Sequence, residues 1–212
     1  MGGLILGVGI NDVKNSSKLH SYRVWHSMLT RCYKLKSGAV VCNEWKLFSR
    51  FVTWYERQSE ALSAIGYDIC KLELDKDLKC IDGLEYSPQT CALLPSELNA
   101  FLANSGIQSS KTKGVGLPQG VSVFHRRTSK IYYISDRSSG TKQTRYFQSV
   151  EEAYNCRLVI RCLLLESIID KFDVLLKAQC VYGKLAKMTT LQGLAEYEGL
   201  LRIYKEAIDA AA

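Results

Sequence analysis

The chain has 212 residues, 47% of them hydrophobic and 23% charged, with a formal net charge of +7. That length buries a real core as one domain or as two or three small ones, and no stretch is apolar enough to cross a bilayer. The opening MGGLILGVGIN has no basic flank and carries Leu6 where a myristoylation site takes Ser or Thr, so a soluble cytoplasmic protein with no membrane partner is expected.

Eight cysteines, at positions 32, 42, 70, 80, 91, 156, 162 and 180, contain no Cys-x-x-Cys pair. Reduced, mostly buried thiols are expected, with no zinc site evident. The charge is uneven: residues 1–60 carry +5, 61–105 carry −4, 106–150 carry +7 and 151–212 carry −1. Two basic segments around an acidic one suit a DNA binder whose acidic centre holds a cation.

In chain order, NDVKNSS supplies a turn, and Ser16 or Ser17 is the expected cap of a helix over 18–33. There Tyr22, Trp25, Leu29 and Cys32 step by three and four. Residues 34–43 read as a loop, with Asn43 capping a second amphipathic helix through Trp45, Phe48, Phe51, Val52 and Tyr55. His20 and His26, six apart, do not share a helix face and are poor metal partners for each other.

Residues 72–99, LELDKDLKCIDGLEYSPQTCALLPSELN, come next. Read as a strand, LELDKDL puts Leu72, Leu74, Lys76 and Leu78 on one face and Glu73, Asp75 and Asp77 on the other. Three carboxylates on one face repel unless water screens them or a cation sits among them. IDGLEYSP reads as loop, TCALL as a second strand, and Pro95-Ser96-Glu97 as the start of a helix carrying Asn99.

This strand–loop–strand–helix segment resembles the ββα metal core of the HNH nucleases of bacteriophages, many of them homing endonucleases. The resemblance rests on Asp75-Lys76, on Tyr86-Ser87-Pro88-Gln89-Thr90-Cys91 and on Asn99, and on the preceding helical block YRVWHSMLTRCY…VCNEWKLFSRFVTWY. It implies a divalent metal, Mg or Mn, held by Asp75 and Asn99 with help from Asp77 or Glu73, and a catalytic set of Asp75, Lys76 and Asn99. The sequence departs from the pattern twice: Lys76 replaces the general-base His, and Thr90 replaces the central Asn. A lysine activates water only where its pKa is strongly depressed, and neighbouring acids act the other way.

Residues 106–120, rich in Gly, Ser and Lys, read as a basic linker, with Lys111 and Lys113 available to a phosphate backbone. Three strands follow, VSVFHRR, KIYYISDR and TRYFQSV, and Glu151 opens a long helix. GVSVF…YYI…RYFQSVEEAYNCR resembles the Apetala-type DNA-binding domain often fused to phage HNH nucleases. That likeness implies a sheet laid in the major groove of double-stranded DNA, with Arg126, Arg127, Lys130, Tyr132, Arg137, Lys142 and Arg145 as contacts. In the tail, Leu194, Tyr197, Leu201, Tyr204 and Ile208 form a seam that packs back on the long helix or pairs two copies, a monomer being the simpler expectation.

The expected fold is therefore α+β: N-terminal helices and a ββα-metal-like (HNH) core over 1–105, a linker over 106–120, a three-stranded antiparallel sheet with a long helix over 121–177, and a helical tail over 178–212. The resemblances imply a phage DNA-binding protein, working in the cytoplasm of a bacterial host, that nicks or cleaves DNA with a divalent metal. A catalytically inactive derivative acting as a repressor or site blocker is the first alternative. A protein-binding phage factor acting on a host defence or transcription complex is the second.

Overall fold

Aromatic and aliphatic side chains spaced three and four apart bring two helices together near the N-terminus. In the computed structural model, which describes residues 4–35, 37–79, 84–103, 117–118, 120–136, 141–190 and 192–199, helix α1 (His20–Leu29) runs into a π turn (Thr30–Lys34), and helix α2 spans Phe48–Ala64. Trp25, Leu29, Trp45, Phe48 and Phe51 are wholly buried between them. Trp25 donates its indole N–H to the Trp45 carbonyl at 2.7 Å, so the large ring is buried without an orphaned donor. Gly9 lies so close to this cluster that a Cβ there would come within 2.5 Å of Leu29 Cδ1.

The helix starts differ from the sequence expectation. Ser16–Lys18 forms a 3-10 turn, and α1 follows Leu19 with no side-chain cap. Asn43 does not cap α2: its Oδ1 accepts from Lys46 Nζ at 2.9 Å, Leu47 is extended, and the helix begins at Phe48. The first turn of α2 is served from far upstream, where Asp12 accepts the Ser49 N–H at 2.8 Å and the Ser49 hydroxyl at 2.5 Å. A helix end needs acceptors for its free N–H groups, and tertiary folding supplies one here.

Strand β1 (Val40–Val41) lies parallel to β3 (Glu85–Tyr86), in two stretches whose sequences read as loops. Strand β2 (Leu72–Asp75) pairs antiparallel with β4 (Ala92–Pro95), Leu72 opposite Pro95 and Asp75 opposite Ala92. Helix α3 (Ser96–Ala103) follows β4 without a break. The strand, loop, strand and helix expected between residues 72 and 99 thus occur in that order, with Leu74, Leu93, Leu94 and Leu98 buried.

The chain divides into two compact units. One takes in Met1–Asn99 and Phe172–Val181, the other Ala100–Lys171 and Tyr182–Ala207. In the second, β5 (Val121–His125), β6 (Lys130–Asp136) and β7 (Gln143–Phe147) form an antiparallel meander. Helix α4 (Val150–Ala178) starts at a capping box: Glu152 N donates to Ser149 Oγ at 3.1 Å, and Ser149 N donates to the Glu152 carboxylate at 3.4 Å. At Phe172 the backbone leaves helical geometry (φ −117°, ψ 17°), where one unit gives way to the other. Val121, Ile134 and Ala153 centre the core between sheet and α4, with Tyr132, Phe147 and Tyr154 around them.

Helices α5 (Tyr182–Lys187) and α6 (192–199) complete the second unit. Leu194 and Tyr197 are buried as the seam requires, whereas Leu201, Tyr204 and Ile208 lie outside the described residues. Beside them Glu198, 4% exposed, holds Arg157 at 3.0 Å and Arg161 at 3.0 Å and accepts from the Tyr154 hydroxyl at 3.1 Å. Arg157 in turn lies against Gly120, whose φ of +81° and 2.7 Å clearance to Arg157 Nε leave no room for a side chain. The described residues are 53% helical and 20% strand, an α+β protein as expected, and among them no helix is long and apolar enough to cross a membrane.

Candidate functional site

The alternation of LELDKDL holds only as far as the strand does. Leu72 and Leu74 point inward and Glu73 outward, but β2 ends at Asp75 and the chain turns. Asp75 closes the turn, its Oδ1 accepting the Leu78 N–H at 2.8 Å, which is a favoured local bond for Asp. It is therefore 7% exposed rather than sharing an open face with Glu73 and Asp77. Burial, opposed by the Leu78 N–H bond, pushes its carboxyl up to about 6.

Lys76, placed by the alternation on the face of Leu72, Leu74 and Leu78, is buried too, at 8% exposure. Its ammonium pairs with the Asp77 carboxylate and stands 5.8 Å from the centre of the Tyr86 ring. Tyr86 is also buried and hydrogen-bonded to Arg31, which burial and this bond affect in opposite directions, with burial the stronger and the phenol pushed up.

Asn99 reaches β2 from helix α3, and its Nδ2 donates to Glu73 Oε2. Of the expected metal set, the structure therefore joins Asn99 to Glu73 and Asp77 to Lys76, while Asp75 is anchored to the backbone of its own turn. Among the described residues no group of three or more His, Cys, Asp and Glu gathers in metal-binding geometry.

Thr90, at the place of the family's central Asn, organises the turn between β3 and β4. Its Oγ1 accepts the Ser87 N–H at 3.0 Å and donates to the Glu85 carbonyl at 2.7 Å, while Cys91 N donates to the Ser87 carbonyl at 3.0 Å. The YSPQTC stretch is thus a closed hydrogen-bonded turn, and Cys91 beyond it is wholly buried, its thiol pushed up to about 12 by that burial.

On the sheet, Arg126 and Arg127 occupy the tip of the β5–β6 hairpin, closed by Arg126 N donating to the Ser129 carbonyl at 2.8 Å, and Lys130 follows at the start of β6. These three and Lys142 are exposed. Arg145 is half-buried, held at 2.5 Å by Asp136 and at 3.1 Å by Gln143. Tyr132 lies on the covered face, packed against the Val121–Ile134–Ala153 core, instead of facing outward. Arg137, Lys111 and Lys113 lie outside the described residues.

Known protein families, curated proteins and solved structures contain no match to this chain.

The open face of the sheet carries side chains that were not singled out in the sequence. Phe124 is 55% exposed and Tyr146 69%, and the Tyr146 ring lies 6.0 Å from that of its cross-strand partner Tyr133. KIYYISD is apolar on both faces, so alternation alone did not say which face α4 would cover. The chemistry of the ββα segment does suit a hard cation: Glu73, Asp75, Asp77 and the Asn99 amide carbonyl are all oxygen donors. A buried carboxyl with a raised pKa, as at Asp75, is also one that a bound cation would return to its ionised form.

Proposed function

We propose that this protein binds double-stranded DNA through its sheet and its basic hairpin tip and nicks or cleaves it with a divalent metal at the ββα segment, in the manner of a phage HNH endonuclease. The observation that carries the reading is that β2, β4 and α3 bring the amide of Asn99 to Glu73, on the strand that ends at the buried acid Asp75. Asp75 and Asn99, with Glu73 or Asp77, would hold the metal. When bound, the ion supplies charge for the phosphodiester transition state and for the leaving oxygen. The chain itself holds the donors on a strand and a helix and shields Asp75 from bulk water.

A second reading is binding without cutting. Lys76 favours it: the ammonium at the place of the general base is ion-paired with Asp77, and a protonated amine takes no proton from water. A DNA nicking assay in Mn²⁺ with wild type and Asp75→Ala separates the two. Nuclease action predicts nicks from wild type alone, with duplex binding kept in the variant. Binding by both without nicks leaves the site-blocker reading, and absence of duplex binding removes both.

A further inference from the structure

An open cleft of about 340 Å³ lies between α1 and strand β2 in the first unit, lined by His20, Arg23, Ser27 and Arg31 on one side and by Cys70 and Glu73 on the other. Arg23, Ser27 and Arg31 are four apart, so they stand one above another on a single face of the helix. The neighbouring His20 fixes the first of them, its Nδ1 lying 3.3 Å from Arg23 Nη2. Burial and the Arg23 charge hold the His20 pKa below its ordinary value, which keeps Nδ1 an acceptor for that guanidinium. At the other end, Arg31 sits in the π turn, where Leu35 N donates to the Thr30 carbonyl at 3.0 Å, and it bonds to the Tyr86 hydroxyl. Helices adopt such wide turns in few places, and these recur at functional sites. Two guanidinium groups and a hydroxyl thus face the cleft against a single carboxylate, Glu73, which accepts from Asn99.

The geometry points to this cleft as a seat for a phosphodiester of the nucleic-acid backbone, gripped by Arg23 and Arg31 with Ser27 between them and delivered alongside the Glu73–Asn99 pair. Planar guanidinium forks match phosphate oxygens in pairs, and a hydroxyl adds a donor of adjustable direction. The cleft exceeds one phosphate in size, which leaves room for the sugars on either side. The inference rests on the DNA reading above and adds to it the element that holds the strand to be cut.

Anisotropy of a labelled duplex over a salt series tests it, with Arg23→Gln, Arg31→Gln, Ser27→Trp to fill the cleft, and Arg57→Gln as a basic residue outside it. The seat neutralises one phosphate, so its complete loss lowers the slope of log K against log salt by about 0.9, which is about eightfold in affinity at about 0.1 M salt, and each cleft arginine variant should show a part of that fall. Ser27→Trp, which removes no charge, should reproduce the loss of both, and Arg57→Gln should leave affinity and slope in place. Melting curves identify any variant that has lost its fold; Ser27→Trp and Arg23→Gln stand in if Arg31→Gln disturbs Tyr86. Cleft variants indistinguishable from Arg57→Gln overturn the phosphate seat while duplex binding by wild type stands. A wild type that binds no duplex overturns the DNA reading and the seat with it.

Discussion

Asp75 is the residue on which structure and chemistry meet most closely. Its folded pKa of about 6 lies above the ordinary carboxylate value, so the folded state binds its proton more tightly than the unfolded chain. That contribution is fully present below about pH 4 and is lost as the pH rises through about 6, destabilising the fold by about 1–3 kcal/mol at neutral pH. Asp75→Asn keeps an oxygen for the Leu78 N–H and removes the charge. It should therefore exceed wild type in stability by that amount at pH 8 and converge with it below pH 4, as read by urea unfolding across pH. Under the metal reading, Mn²⁺ at pH 8 should raise the melting temperature of wild type and not of Asp75→Asn; an equal rise in both would place the ion elsewhere. Thr90 is testable in the same way. Thr90→Ala removes an acceptor from Ser87 N and a donor to the Glu85 carbonyl, a loss of about 1–2 kcal/mol in urea unfolding.

Among the elements, α4 shows how a helix predicted from one apolar stripe carries a second, polar function in packing. Arg157 and Arg161 share one carboxylate, Glu198 from α6, in a site where all three are less than a tenth exposed. Burial and the neighbouring Arg157 pull the Arg161 pKa down to about 10 even with Glu198 present. Glu198→Gln removes the buried carboxylate charge that Arg157 and Arg161 share and should cost about 3–5 kcal/mol. A triple replacement by Arg157→Met, Arg161→Met and Glu198→Leu should recover most of that loss, because an apolar set owes no desolvation. Thermal unfolding of the two variants decides it: equal destabilisation would show that packing volume, and not charge, governs the site. Helical spacing marks Leu158, Leu165 and Ile169 on this helix, but it does not single out Arg157 and Arg161, whose shared partner lies on another helix, 41 residues from Arg157.

For the whole molecule, the unequal charge of the chain has a counterpart in the sheet. Arg126, Arg127 and Lys130 are exposed at one hairpin tip and Lys142 is exposed at the start of β7, around an open face that presents Phe124, Tyr133 and Tyr146. If the sheet meets DNA, Arg126→Gln with Arg127→Gln should reduce the salt slope by about 1.8, since both side chains would release counterions. Tyr146→Ala should weaken binding with the slope unchanged, because its ring carries no charge. Tyr132→Phe should have no effect on binding, since that ring belongs to the core beside α4.

The local order of the chain was legible where one residue pattern admits one solution. Apolar steps of three and four marked α1, α2 and α4; turn residues separated β5, β6 and β7; and the acids, the IDGLEYSP loop, the apolar TCALL and the Ser-Glu helix start marked strand, loop, strand and helix, although the structure keeps Thr90 in the turn and starts the second strand at Ala92. Tertiary structure alone decided which partners those elements found. Val40–Val41 and Glu85–Tyr86 are strands only because they meet each other, 45 residues apart, and α2 is capped by Asp12 rather than by the adjacent Asn43. The same holds for the site: Asp75 was legible as an acid in a segment that resembles a metal motif, but its burial, the pairing of Lys76 with Asp77 and the union of Asn99 with Glu73 follow from where β2 stops and where α3 comes to lie. Periodicity carries the faces of an element. The depth of a side chain and the identity of its partner are set by surfaces that fold against it from elsewhere in the chain.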